Sequence, residues 1–164
     1  MADQDFPVLS GALRRRAGGA MGRLTRFFRG MGARRVSVPG LRDGRLLDCP
    51  TAPCCVATGA SRPSCRVAPI GYPGEREEMR AILIGVLWSW PRTEIVTIRD
   101  DYIHAVQKTR WLRFADDVQC HLPAAERLVH LRSAARTGWY DLGVNRGRVE
   151  RLRRAVNQRL AESQ

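Results

Sequence analysis

The chain has 164 residues, 44% apolar and 27% charged, with a formal net charge of +12. These proportions suit one globular domain with a core of its own, and they exclude a membrane-spanning protein: no apolar run nears the roughly 20 residues a bilayer demands. All but one of the 28 basic side chains are arginine, the exception being Lys108, so the chain attracts polyanions and anionic lipid without specifying either.

Residues 1–44 form a basic tail. Residues 1–47 carry ten arginines against Asp3, Asp5 and Asp43. Met21, Leu24, Phe27, Phe28 and Met31 fall at helical spacing among Arg23, Arg26 and Arg29. That is a short basic amphipathic pattern of the type that lies in a membrane interface. Glycines at 18, 19, 22, 30 and 32 weaken it, since glycine is a poor helix former. Glycine and arginine also break every candidate signal-peptide core before Arg35. The run LLDC ending at Cys49 is not a lipidation site, because Asp48 stands where a small residue is needed. Residues 45–162 are expected to form a single domain.

Its lead-in, 48–73, is rich in Pro, Gly, Ser and Cys and reads as an extended loop wrapping the domain. Cys49, Cys54, Cys55, Cys65 and Cys120 are odd in number and lack zinc-type spacing. Without an export signal they are expected to be reduced thiols. A helix follows. Glu75, Glu77 and Glu78 favour its positive end, Met79, Ile82, Leu83, Val86, Leu87 and Trp90 make its apolar stripe, and Pro91 ends it.

Four strands come next, at 93–99, 102–109, 116–122 and 127–133, the last two joined by the hairpin loop 123–126. Val118, Cys120 and Leu122 alternate with Asp117, Gln119 and His121, which predicts an antiparallel sheet covered on one side. A final helix runs from about Asn145, a good N-cap type, to Leu160. The fold class is α+β: two layers, a four-stranded mainly antiparallel sheet and two helices on one face.

Several stretches resemble the family called domain of unknown function 1499, found in bacteria and plastids. The run CPTAPCCVAT keeps Cys49, Pro50, Cys55 and Val56 of its lead-in, with Cys54 for the usual Asn and Ala57 for the usual Ser. Its Asp-Asp pair falls on Asp116 and Asp117, its Arg-Ser run on Arg132, Ser133, Arg136 and Gly138, and its last motif on Asp141, Leu142, Gly143, Asn145 and Arg146. The resemblance covers about residues 45–160 and implies no activity, since the family has none assigned. Many members look membrane- or envelope-associated through N-terminal segments that this chain lacks.

The run RSAARTGWYDLGVNRGRVERLRR, 132–154, holds seven arginines around the start of the last helix. A helix N-terminus is already positive, so Arg146 and Arg148 there require a compensating anion. Either Asp116, Asp117 or Asp141 pairs with Arg132, Arg136 or Arg146 and braces the loop, or these groups with Ser133 and Asn145 receive an anionic ligand. The Asp-Asp pair lies at the same end of the sheet as Arg132, which favours the internal pairing.

The other chemistry is thin. His104, His121 and His130 on strand faces lack a further ligand, so no metal is expected. Ser133 or Cys120 beside His121 or His130 points the wrong way for a nucleophile and base. Trp88, Trp90, Trp111 and Trp139 are scattered, with no stacking platform for specific nucleic-acid binding. No cofactor is implied. The expectation is a non-catalytic binding or scaffold protein, cytoplasmic and peripheral at the inner face of the membrane, with an anionic small molecule or anionic lipid as partner. The alternative is a hydrolase-like enzyme using the Asp116/Asp117 pair.

Overall fold

The computed structural model describes residues 38–110, 114–137 and 141–162. The amphipathic pattern of the tail lies outside them. In chain order the elements are β1 (Leu41–Arg42), β2 (Arg45–Leu46), β3 (Cys55–Ala57), a 3-10 turn (Pro63–Cys65), β4 (Ile70–Gly71), α1 (Arg76–Ser89), β5 (Thr93–Ile98), β6 (Tyr102–Lys108), β7 (Ala115–His121), β8 (Leu128–Ala135) and α2 (Val144–Glu162).

The α+β class, both helices and the four long strands stand as expected. β5 to β8 form an antiparallel meander, its register interrupted between Ile95 and Thr97 of β5, with Ile103 opposite Cys120 and Cys120 opposite Leu131. Their apolar face carries Ile103, Ala105, Val118, Cys120 and Leu131, which pack with Leu83 and Leu87 of α1 and Val149, Leu152 and Val156 of α2. α1 has its acids at Glu77 and Glu78 and ends at Trp90, where Pro91 cannot supply the next amide.

Two expectations about the sheet are corrected. It has six strands rather than four, with a separate two-stranded ribbon of β1 and β2. The extra strands come from the lead-in: β3 pairs with Arg132, Ser133 and Ala134, and β4 with Leu128 and Val129, so both share the outer edge of β8. They carry no periodicity to read, being two or three residues long. The unpaired amides and carbonyls of the β8 edge impose strand geometry on them.

The sheet is also covered on both sides. Asp117 and Gln119 are fully buried, and His104, His121 and Arg132 nearly so. The Gly40 amide donates to Gln119 Oε1 at 2.8 Å, and Arg132 Nη2 donates to the Asp48 carbonyl at 3.4 Å. The alternation is therefore apolar core against polar core.

The cysteines need correction as well. Cys49 and Cys55 form a disulfide with Cα atoms 5.5 Å apart, while Cys54, Cys65 and Cys120 are buried thiols. β3 docks on β8 and brings Cys55 to the spot where the lead-in doubles back, a proximity that pair spacing does not reveal.

Candidate functional site

Asp116 and Asp117 are successive strand residues and so point to opposite faces. On the helix face, Asp116 accepts a short hydrogen bond from Arg148 Nη2. The same guanidinium donates through Nε to Gln107 Oε1 at 2.8 Å, and through Nη1 to Asn145 Oδ1 at 2.6 Å and Ser133 Oγ at 3.0 Å. Ser133 Oγ donates in turn to Asn145 Oδ1 at 2.7 Å. All five residues are buried. Burial pushes the Asp116 carboxyl above its ordinary pKa, and the charge and hydrogen bond of Arg148 oppose it without cancelling it.

On the other face, Asp117 Oδ1 meets His104 Nε2 at 2.7 Å and accepts from Arg136 Nε and Nη2 at 2.9 and 2.8 Å. Burial raises this carboxyl too, but the hydrogen bonds from His104 and Arg136 outweigh it and hold the group below its ordinary pKa. Tyr102 donates its hydroxyl to Gln119 Oε1 at 2.9 Å nearby, and burial pushes the phenol up to about 12.

Asp141 supplies the negative charge at the start of α2. Its Oδ1 accepts the Gly143 amide at 2.9 Å, and its Oδ2 accepts the Asn145 amide at 3.0 Å. The carboxylate thus neutralises the helix N-terminus directly. Asn145 is not the cap expected from its type. It lies within the first turn, and its Nδ2 donates to the Cys54 carbonyl at 3.0 Å and to Asp141 Oδ2 at 2.7 Å.

Arg146 is exposed and finds neither Asp116 nor Asp117. Its Nη2 donates to the carbonyls of Ser64 and Arg66 at 2.8 and 3.1 Å. Arg153 does the same for Ala68 and Pro69, Arg62 for Pro50 and Thr51, and Arg66 for Ala60 and Ser61. An irregular segment leaves carbonyls without strand or helix partners, and guanidinium forks meet that need. Arg62, Arg66, Arg146 and Arg153 therefore brace the lead-in.

Six of the eight predicted residues divide between the faces of the sheet at one end, Asp116, Ser133 and Asn145 on one and Asp117, Arg132 and Arg136 on the other, while Asp141 caps α2 and Arg146 reaches the lead-in. Hydrolysis by the acid pair requires both carboxylates in one open pocket, and this arrangement does not supply it. Arg148, the hub of the helix-face network, was not among the predicted site residues. The signal was present, because Arg148 is three residues after Asn145 and one before Val149, on the inward face of α2. Gln107 and His104 gave less warning, since only strand register brings them beside Asp116 and Asp117. Among the described residues no group of histidine, cysteine and carboxylate side chains has the geometry of a metal site. His130 instead meets Glu126 at 3.0 Å.

Comparison with curated proteins returns no match. The sequence profile of the family described as "Protein of unknown function (DUF1499)" matches residues 45–156. That span runs from β2 into α2 and takes in both carboxylate networks, the disulfide and the Asp141 turn, and it exceeds half of the chain: the protein belongs to this family.

Proposed function

We propose that the chain is a non-catalytic binding or scaffold domain that attaches peripherally to an anionic membrane surface, with the basic segment 1–44 as its principal anchor. One observation carries the non-catalytic part: each carboxylate at the arginine-rich end is engaged by arginine or by backbone amides, which supports an internal role for these groups. The excess charge in 1–47 supports the attachment, since each basic residue near an anionic bilayer contributes about 1 kcal/mol. No helix among the described residues is long and apolar enough to cross a membrane. The Cys49–Cys55 bond supports an oxidising compartment in place of the expected cytoplasmic location.

The test is co-sedimentation of the full chain with phosphatidylglycerol vesicles and with phosphatidylcholine vesicles. A second protein carries glutamine at Arg14, Arg15, Arg16, Arg23, Arg26 and Arg29. Wild type should sediment with the anionic vesicles in a salt-dependent way, and the variant should lose most of that binding. Equal binding by both proteins excludes the tail as anchor. A melting temperature raised by phosphate or a nucleotide, beyond a salt control, would favour a small anionic ligand instead.

A further inference from the structure

While the fold neutralises Arg136 and Arg148, it leaves a neighbouring group of cations without acids. Arg92, Lys108 and Arg151 are exposed around the sheet end where β6 stops, and Arg154 is exposed about one turn further along α2. Among the described residues none of the four has a carboxylate within ion-pairing distance. The acids at this end are already engaged: Asp116 by Arg148, Asp117 by His104 and Arg136, and Asp141 by the amides of Gly143 and Asn145.

Two of these cations, Arg92 and Arg151, are fixed in place. Arg92 Nε donates to the Lys108 carbonyl at 3.2 Å, and the Lys108 amide donates back to the Arg92 carbonyl at 2.9 Å. The Arg151 guanidinium lies over the Trp90 ring, 4.1 Å from its centre, and donates to Gln107 Oε1 at 2.9 Å. Burial lowers the pKa of Arg151, and the like charges of Arg148, Arg154 and Arg92 lower it further. These groups repel one another and are held together by the fold.

The same end presents apolar side chains to solvent. Leu142 is 84% exposed and Val144 45%. Leu142 and Gly143 both have positive φ, 53° and 78°, and the Val144 amide donates to the Asp141 carbonyl at 3.0 Å. This is a mirror-image turn, where Asn or Gly is the low-energy choice for the first central residue. A leucine there is strained and gains nothing from burial. Arg92, at φ 58°, is strained in the same way.

We infer that this end of the domain docks on an anionic lipid bilayer, Leu142 and Val144 entering the headgroup region while Arg92, Lys108, Arg151 and Arg154 meet lipid phosphates. The inference rests on the peripheral-attachment reading above and adds a second, folded contact to the tail. Charge complementarity selects the partner. The four cations attract phosphates, and the apolar tips between β8 and α2 gain by leaving water at the bilayer surface.

The test uses the full chain with phosphatidylglycerol and phosphatidylcholine vesicles. One variant is Leu142→Asn, which keeps the turn because asparagine tolerates positive φ. A second combines Arg92→Gln, Lys108→Gln and Arg154→Gln. A charge-matched control combines Arg76→Gln, Arg80→Gln and Arg127→Gln at the opposite end of the sheet. The triple at the docking end should weaken partitioning into anionic vesicles by about tenfold or more, and the control by less than about twofold. Leu142→Asn should raise the melting temperature yet weaken partitioning.

Equal losses from the two triples would reduce the effect to net charge and overturn the docking face. Unchanged binding by Leu142→Asn and by the docking-end triple, with loss only in the tail variant, would overturn it while sparing the tail. Absence of wild-type binding to anionic vesicles removes both.

Discussion

The two faces of the sheet solve one problem differently. Asp116 and Asp117 are neighbours in the chain, are both buried, and both meet an arginine. Asp116 lies under α2, and its arginine, Arg148, is as deeply buried as the acid itself. Asp117 lies under the lead-in, and Arg136, 30% exposed, still reaches water. Burial therefore wins at Asp116, raising its pKa, and hydrogen bonding wins at Asp117, lowering it. An ion pair sealed from solvent is a specification of geometry more than a source of stability, while a partly hydrated one stabilises its anion.

The sharpest way to break this comparison is to remove one partner on the sealed side. Arg148→Met leaves the Asp116 carboxylate alone in the core and should cost about 3–5 kcal/mol in urea unfolding. The double replacement Asp116→Leu/Arg148→Met should cost less than either single change. Arg136→Met, on the hydrated side, should cost less than Arg148→Met.

Reduction of Cys49–Cys55, or Cys49→Ala, frees the lead-in that covers the Asp117 face. Loop-closure entropy for so short a ring gives a loss of about 2 kcal/mol. Mass spectrometry of the alkylated native chain should show two cysteines protected as a disulfide, and unfolding with and without reductant should show the loss. Leu142→Gly relieves backbone strain and should stabilise by up to about 1 kcal/mol, read in the same assay.

The smallest effect concerns pH. The folded pKa of Asp117 is lowered, so its contribution is fully present above about pH 4 and is lost as pH falls through the folded value. The folded pKa of Asp116 is raised, so its contribution has the opposite sign: present below about pH 4 and lost as pH rises through the folded value. Asp117→Asn should flatten the loss of stability in acid, and Asp116→Asn should steepen it. Urea midpoints between about pH 3 and pH 6 measure both slopes.

Local sequence by itself determined α1, α2 and the four long strands, because apolar spacing, Pro91 and the first-turn acids act within a few residues of where they stand. It also brought Asp116, Asp117, Arg132, Arg136 and Asp141 to one end of the sheet, since strand direction follows from hairpin connectivity. Tertiary structure alone decided which arginine meets which acid. Arg148 reaches Asp116 only because α2 crosses the end of β6 and β7, and Arg146 reaches carbonyls only because the lead-in runs beneath it. β3, β4 and the disulfide likewise exist because the β8 edge has backbone groups to satisfy, a long-range demand that no periodicity within 48–73 records.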